Sequence, residues 1–169
     1  MPKGLPKSLS RGAPQRQVVQ KQVIRVRNFA LTVDGASGVG FGTGIIGELP
    51  EGNILLHGAV GYFSMQTANT GVTTTFNPTV AIGSAPTADA TLAGAEVDLL
   101  PATALGASAN RVSPRGRLTQ ATQTVLDNTD NSLEINMNVT VPDADISANG
   151  VVMAVDGDLV LSYVVLADD

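Results

Sequence analysis

One histidine is the residue best suited to acid–base chemistry in this sequence. His57 is the single histidine of the 169-residue chain, and no G-x-S-x-G turn is present to expose a nucleophilic serine beside it. A Ser-His-Asp arrangement can in principle recruit such an imidazole. His57 lies within an apolar run, however, where a buried imidazole that is hydrogen-bonded to the fold is the usual arrangement. The sequence therefore predicts a structural role for His57 and no enzymatic activity.

Three glycines match the phosphate-binding pattern G-x-G-x-x-G. They are Gly42, Gly44 and Gly47. In a nucleotide site such glycines follow a strand and open a helix, so that backbone N–H groups face a pyrophosphate. Pro50 and Gly52 follow at once here and disfavour that helix. We therefore interpret the three glycines as turn and close-packing positions, and we predict no cofactor.

Closely spaced aspartates offer oxygen atoms of the kind that bind calcium. The pairs are Asp127 and Asp130, Asp143 and Asp145, and Asp156 and Asp158. None belongs to the twelve-residue calcium loop that ends in glutamate, and the chain has no cysteine for a thiolate site. The pairs are therefore predicted to form turns, with cation binding by one pair as the alternative.

The charges are strongly segregated along the chain. The net charge is -5, from 10 basic and 15 acidic residues. The first 27 residues hold seven of the cations and no acid, so the remainder carries three cations and all 15 acids. The basic residues are Lys3, Lys7, Arg11, Arg16, Lys21, Arg25, Arg27, Arg111, Arg115 and Arg117. We predict that these ten residues bind a protein partner, because arginine pairs readily with carboxylates. For Arg111, Arg115 and Arg117, a solvated loop is the alternative.

The N-terminal region is predicted to be an extended arm. Pro2, Pro6 and Pro14 exclude helix there, so we divide the chain into a basic arm, residues 1–22, and a β body, residues 23–169. About 20 extended residues reach up to ~65 Å, far enough to cross a neighbouring subunit. A solvated tail is the alternative. Nucleic acid is disfavoured as a partner because the arm has no aromatic residues for base stacking and the body is acidic.

Composition predicts an all-β body. Eighteen glycines and nine prolines divide the chain into short segments. The apolar runs are far shorter than the ~20 residues of a membrane helix, and no secretory signal follows the N-terminal charges. We therefore predict no membrane contact. The core must consist largely of aliphatic side chains, because only 4% of the residues are aromatic.

Local patterns predict about eight short strands and little helix, as in a β-sandwich or jelly roll. We expect a bulge near Asn28, where the apolar phase of the first strand switches. The other expected features are a central strand over 53–67 covered on both faces, an excursion over 84–110 with one helical turn near Leu92, an edge strand over 118–126, a half-buried strand over 133–141, and hairpin turns at Asn149-Gly150 and Asp156-Gly157.

Two stretches resemble small virion proteins of tailed bacteriophages that decorate or cement the capsid. The first runs from Val80-Ala81-Ile82-Gly83 through Thr87-Ala88-Asp89-Ala90-Thr91-Leu92 and Val97-Asp98-Leu99-Leu100-Pro101 to Thr103-Ala104-Leu105-Gly106. The second runs from Val141-Pro142-Asp143-Ala144-Asp145 to Asp156-Gly157-Asp158-Leu159-Val160-Leu161-Ser162-Tyr163. The resemblance covers about half of the chain. It implies a β-sandwich or jelly-roll body, self-association as a dimer or trimer, and a terminal arm that bridges capsomers.

The function expected from these features is structural. The arm docks onto the major capsid protein and neighbouring copies at the capsid surface of the virion, and Val18, Val19, Val23 and Ile24 add a strand to a neighbour's sheet edge. A receptor-binding or glycan-binding head or tail-fibre module is the alternative. It is disfavoured because glycan sites use exposed aromatic rings, whereas Tyr62, Tyr163 and the four phenylalanines lie mostly in segments expected to be buried.

Overall fold

The computed structural model describes residues 18–35, 38–120 and 122–166. These residues form nine strands, which are β1 (Gln20–Val33), β2 (Gly40–Glu48), β3 (Gly52–Gln66), β4 (Thr79–Gly83), β5 (Leu100–Ala104), β6 (Gly116–Thr119), β7 (Thr124–Asn128), β8 (Glu134–Val141) and β9 (Val151–Leu166). Two short 3-10 turns are formed by Gly94–Glu96 and Asp143–Asp145. No helix in the described part of the chain is long and apolar enough to cross a membrane.

The strands form two antiparallel sheets that pack face to face. The five-stranded sheet has the order β1-β9-β3-β6, with β7 also paired to β3, and the four-stranded sheet has the order β2-β8-β4-β5. Along the chain, the pairs β1/β9, β2/β8, β3/β6 and β4/β5 nest inside one another. This nesting is that of a jelly roll. The prediction of an all-β sandwich or jelly roll is confirmed.

The core between the sheets is mainly aliphatic. Phe63 and Phe76 are its fully buried aromatic side chains, and Val, Leu, Ile and Met fill the remaining space. Full burial of a Val, Leu or Phe side chain contributes ~1.5–3 kcal/mol. Many such side chains therefore stabilise the sandwich without tryptophan.

β1 contains the bulge predicted near Asn28. Its pairing with β9 shifts register between Val26 and Phe29. Asn28 has φ +47, a left-handed conformation that asparagine tolerates better than most residues. The extra residue returns Phe29 and Leu31 to the core side, which explains the switch in the apolar pattern.

β1 pairs within its own chain from Gln20 onward. Gln20 lies opposite Tyr163 of β9. Val23 and Ile24, which were expected to add a strand to a neighbour, instead pair with Val160 and Leu159 of the same chain. Residues 20–22 therefore belong to the sheet. The division into arm and body stays a prediction, because residues 1–17 lie outside the described residues.

The three glycines of the G-x-G-x-x-G pattern lie within β2, where they allow β1 to pack closely. A Cβ on Gly42 would lie 2.2 Å from the carbonyl oxygen of Thr32, and one on Gly44 would lie 2.6 Å from the ring of Phe29. A Cβ on Gly47 would lie 2.8 Å from Ile24. These are the predicted close-packing positions. Strand geometry at all three means that no strand-to-helix phosphate loop is formed here.

β3 is central in its sheet, but only one of its faces is fully covered. Residues on its inner side, such as Ile54 and Phe63, are buried, whereas Tyr62 on its outer side is 41% exposed. The expectation of burial on both faces is therefore wrong. β6 and β7 share one edge of β3 and replace the single predicted strand over 118–126. They separate near His57, where the pairing of β3 with β9 shifts register.

β9 is continuous through Asp156 and Gly157, so the predicted hairpin turn there is wrong. The inward positions of β9 alternate without interruption, and Gly157 occupies one of them. A Cβ at Gly157 would lie 2.2 Å from the carbonyl oxygen of Tyr62 and 2.3 Å from the ring of Phe63. Gly157 is thus a packing position. At Asn149-Gly150 the chain bends before β9, with Gly150 at φ +67, but β8 and β9 belong to different sheets, so the hairpin predicted there is also wrong.

The outer side of the four-stranded sheet is covered by the excursion that follows β4. Asn138 of β8 is fully buried there. Its Nδ2 donates to the carbonyl oxygens of Ala85 and Glu96, both at 2.9 Å. Its Oδ1 accepts from Thr43 Oγ1 at 2.7 Å and from Thr87 N at 2.9 Å. The predicted half-buried strand over 133–141 is therefore buried on both faces, which corrects the expectation drawn from its alternation.

The excursion itself combines one predicted and one unpredicted element. A 3-10 turn at Gly94–Glu96 lies close to the helical turn expected near Leu92. Ser84 donates from N and Oγ to the Asp98 carboxylate at 2.8 and 2.6 Å, which closes the segment on itself. β5, which follows, was missed because its sequence, Leu100–Ala104, has little β-branched character.

Candidate partner-binding face

Strand register brings parts of both basic regions onto the outer side of the five-stranded sheet. Arg25 of β1 lies opposite Asp158 of β9. Asp158 lies opposite Tyr62 of β3, and Tyr62 lies opposite Arg117 of β6. Residues opposite one another in antiparallel strands project from the same side of a sheet. The four side chains therefore form one row across four strands.

An ion pair at the β1 bulge joins Arg27 to this row. Arg27 Nη2 donates to Asp158 Oδ1 at 2.7 Å, and the two side chains are 55% and 40% exposed. Arg27 Nη1 also donates to the carbonyl oxygens of Val26 and Gly157. An exposed pair of this kind contributes only ~0–1 kcal/mol to stability. Its main effect is to hold one guanidinium and one carboxylate at a defined position on the surface.

Arg117 and Tyr62 form the other end of the row. The guanidinium carbon of Arg117 lies 5.8 Å from the centroid of the Tyr62 ring. A cation–π contact at an exposed site is worth ~0.5–1 kcal/mol. The stacking leaves the donor groups of Arg117 available to a carboxylate, because a guanidinium binds anions in its own plane.

Apolar side chains border the row. Val23 lies opposite Val160, which in turn lies opposite Val60. Val23 is 49% exposed. We call the outer surface formed by Lys21, Val23, Arg25, Arg27, Val60, Tyr62, Arg117, Asp156, Asp158 and Val160 the cationic face.

The cationic face contrasts electrostatically with the rest of the described body. Four of the six basic residues in the described part of the chain lie on it, whereas only Asp156 and Asp158 of the 13 described acids do. Among the described residues, Arg27 and Asp158 form the single ion pair. Lys21, Arg25 and Arg117 are thus exposed cations with no carboxylate partner in the part of the chain that the structure describes.

The other predicted binding residues do not join the face. Arg111 has φ +62, and its Nε donates to the carbonyl oxygen of Val72 at 2.9 Å, which braces its own loop. Arg115 is exposed in the turn before β6. The remaining predicted residues, Lys3, Lys7, Arg11 and Arg16, lie outside the described residues.

Two of the three acidic pairs are associated with turns: Asp127, near the end of β7, and Asp130 bind the turn that follows the strand, and Asp143 and Asp145 lie in a 3-10 turn. Asp127 Oδ1 accepts from the hydroxyl and the N–H of Thr129, at 2.8 and 3.1 Å, and Asp130 accepts similarly from Ser132. Donation by the Thr129 hydroxyl, and then by its backbone N–H, lowers the pKa of Asp127. Asp145 receives a hydrogen bond from Thr73 Oγ1 at 3.1 Å. No cluster of three or more potential metal ligands occurs in the described ranges.

The third pair, Asp156 and Asp158, lies within β9 and not in a turn. Asp156 Oδ1 accepts from the backbone N–H of Asn28 at 2.9 Å, while Asp158 binds Arg27. Both carboxylates therefore hold the bulge of β1. The two-residue alternation over 151–163 indicates one continuous strand through these aspartates. We instead predicted a turn, because Asp-Gly is a common hairpin dipeptide.

His57 is exposed, which corrects the expectation that it is buried. Its Nδ1 lies 3.2 Å from Gln123 Nε2, a hydrogen bond that spans the interval between β6 and β7. The imidazole is thus attached to the fold, but at its surface. Burial was expected because His57 lies in an apolar strand. The expectation failed because a bulge turns His57 outward, and the local sequence gives no sign of that bulge.

Comparisons with known proteins yield structural matches only. No family model and no curated protein matches the chain. The chain is similar to one in the cyanophage Pam1 capsid asymmetric unit, at 18% identity and a TM-score of 0.44, over 98% of this chain and 100% of that one. It is also similar to a chain of the IBDV viral particle, at 12% identity and a TM-score of 0.41, over 85% of this chain and 31% of that one.

A third similar structure is that of the infectious bursal disease virus subviral particle. Identity is 12%, the TM-score is 0.36, and the match covers 88% of this chain and 33% of that chain. This chain thus spans about a third of the length of the chains from both infectious bursal disease virus structures. At these identities and TM-scores, no conclusion about function follows from the similarity.

Proposed function

We propose that the chain is a structural virion protein that decorates and cements a capsid shell. The basic arm docks onto the major capsid protein and onto neighbouring copies, and the body lies on the capsid surface. The jelly-roll body is the architecture that the sequence resemblance to phage decoration and cement proteins implies. The role is mechanical, and the chain contributes binding surface and no catalysis.

The observation that carries this proposal is the continuity between the arm and the cationic face. β1 begins at Gln20 and then presents Lys21, Arg25 and Arg27 along the outer side of the sheet. The four cations of residues 1–17 precede it directly in the sequence. We infer that the predicted arm and the cationic face act together in docking, because complementary charge favours attachment of basic residues to an acidic shell protein.

Attachment must also compensate for ordering the arm. Fixing the backbone of each residue costs ~1–2 kcal/mol, so charge pairs alone do not suffice. The exposed apolar side chains at the start of the described region, Val18 at 69% and Val19 at 57%, supply contact area for this purpose. Binding is therefore expected to depend on salt in part, through its exposed charge pairs.

Deletion of residues 1–17 tests the proposal. A longer deletion, through residue 22, would remove the first three residues of β1 and disturb the sheet. The truncated protein is expected to fold normally and to bind weakly in co-sedimentation with capsids of the particle that encodes the chain. A matched full-length variant with Lys3, Lys7, Arg11 and Arg16 replaced by Gln separates loss of charge from loss of chain length. Equal binding by truncated and intact protein would contradict the role of the arm.

A receptor-binding or glycan-binding module is the second candidate, and Tyr62 is the observation in its favour. The ring is exposed, although Tyr62 was expected to be buried with its strand. Exposed aromatic rings are suited to stacking on sugars, although Arg117 already lies over this one. If Tyr62→Ala abolished binding to host cells or glycans while capsid attachment persisted, the second candidate would be favoured.

A further inference from the structure

We propose that the cationic face binds the acidic end of a second copy of this chain, so that copies associate head to tail. The acidic end consists of Glu48, Glu51, Asp127, Asp130 and Glu134. Because self-association is part of the proposed function, this inference rests on it and specifies which surfaces meet.

Hydrogen bonds hold the two turns of the acidic end together. One turn connects β2 to β3, and the other connects β7 to β8. The Asn128 amide donates to the carbonyl oxygens of Leu49 and Pro50, at 3.1 and 2.9 Å, and its Oδ1 accepts from Leu133 N at 2.8 Å. Asn128 is fully buried, so this junction is part of the fold. The carboxylates around it are consequently displayed on a fixed scaffold.

Like charges oppose one another at this end. Glu48 of β2 lies directly opposite Glu134 of β8. Like charges in such a cross-strand pair are destabilising. Within residues 18–35, 38–120 and 122–166, neither glutamate forms an ion pair. A cation from outside would relieve this repulsion.

The cationic face supplies the complementary charge, and its part at Tyr62 and Arg117 cannot do so within one molecule. Lys21, Arg25 and Arg117 have no carboxylate partner among the described residues. The distance between the two surfaces can be read along β3. Tyr62 belongs to the cationic row, and Asn53 lies opposite Asp127 of the acidic end. These two β3 residues are nine positions apart. At ~3.3 Å per residue of strand, they lie about 30 Å apart. This separation is well beyond the Debye length of ~8 Å at physiological ionic strength. Tyr62 and Arg117 therefore meet carboxylates of the acidic end only in another copy. Lys21 lies closer to its own acidic end, because Nε2 of the neighbouring Gln22 donates to the carbonyl oxygen of Glu48 at 3.2 Å.

Contact between the cationic face of one copy and the acidic end of the next determines the symmetry of the oligomer. Two different patches that meet in a head-to-tail contact form a heterologous interface, which closes as a ring or continues as a filament. A two-fold dimer would instead place the same patch on both sides. The sequence resemblance implies a dimer or a trimer. Of these two, the trimer is the one that a head-to-tail contact forms as a closed ring.

Charge reversal in the full-length protein tests the inference. One variant, R25E/R117E, reverses the face, and the other, E48K/E51K, reverses the end. All four side chains are exposed, and none of them forms a hydrogen bond with another residue in the described ranges. Sedimentation velocity at micromolar concentration is expected to show a ring for the wild type and a monomer for each variant alone. The equimolar mixture is expected to reassociate, because the intact end of the first variant meets the intact face of the second.

Each other outcome overturns the inference. A monomeric wild type, variants that keep the wild-type mass, or a mixture that stays monomeric would each do so. Loss of association in R25E/R117E alone would indicate a face-to-face dimer. Unchanged urea midpoints establish that both variants are folded. Capsid co-sedimentation is measured separately, so a wild-type protein that binds capsids as a monomer would refute the head-to-tail contact and leave docking onto the capsid intact.

Discussion

The outer sides of the two sheets differ in how far the described chain covers them. On the four-stranded sheet, the segment after β4 lies over β8, and Asn138 makes four hydrogen bonds beneath it. On the five-stranded sheet, Tyr62, Val23 and the cationic row stay exposed. A sandwich needs only its inner faces buried to fold. The described residues therefore cover the outer side of the four-stranded sheet and leave that of the five-stranded sheet exposed.

Replacing Asn138 breaks the covered side and is expected to have the largest effect. Asn138→Ala removes four hydrogen bonds and leaves buried groups of Ala85, Glu96 and Thr87 unsatisfied. We expect a loss of about 3 kcal/mol in the free energy of unfolding, measured by urea denaturation. Asn136 is the matched control, because it is equally buried but its Nδ2 has no partner in the described part of the chain. Asn136→Ala is expected to cost about 1 kcal/mol, and equal costs would contradict the assigned role of Asn138.

Glycine-to-alanine substitutions, one on the outer side of each sheet, test the difference in coverage between the two sides. A Cβ on Gly83 would lie 2.2 Å from the carbonyl oxygen of Ala95, whereas one on Gly58 would meet nothing within 4 Å. Gly83→Ala must therefore push the covering segment away and is expected to cost ~1–3 kcal/mol. Gly58→Ala is expected to change stability by less than ~0.5 kcal/mol. Thermal unfolding of both variants checks this, and a tolerated Gly83→Ala would mean that the cover is loosely held.

The smallest expected effect concerns the acidic end. Hydrogen bonds from the hydroxyl of Thr129, and then from its backbone N–H, lower the pKa of Asp127 below that of an ordinary aspartate. A carboxyl group with a lowered folded-state pKa stabilises the fold above its unfolded pKa, and this contribution is lost as the pH falls through the folded pKa. Thr129→Val removes the hydroxyl donor, so the pKa of Asp127 should rise towards its ordinary value. An NMR titration of the Asp127 carboxyl carbon measures this, and an unchanged pKa would show that the backbone N–H alone is responsible.

Local patterns were sufficient for the class of fold and for several elements. The phase switch at Asn28 predicted the bulge, because a two-residue period can only change sides by inserting a residue. The same period identified which residues of β8 share a side, but it did not indicate what covers them. Asn136 and Asn138 were expected to face solvent, since the covering segment over 84–99 has no period of its own.

The cationic face could not be predicted from local sequence patterns. Segregation of the basic residues was visible in the sequence, whereas their meeting depends on the register of β1, β9, β3 and β6. Tyr62 and Asp158, which link the row, were missed for the same reason. Tyr62 was expected to be buried with its strand, and Asp158 was assigned to a turn that the continuous β9 replaces.

A cryo-EM reconstruction of the assembled particle tests the central claim most directly. The account predicts that the outer side of the five-stranded sheet, with Arg25, Tyr62 and Arg117, lies against a neighbouring protein. It also predicts that the segment over 84–99 on the four-stranded sheet points away from that contact. A map in which the cationic face is open to solvent, and the covered side forms the interface, would contradict it.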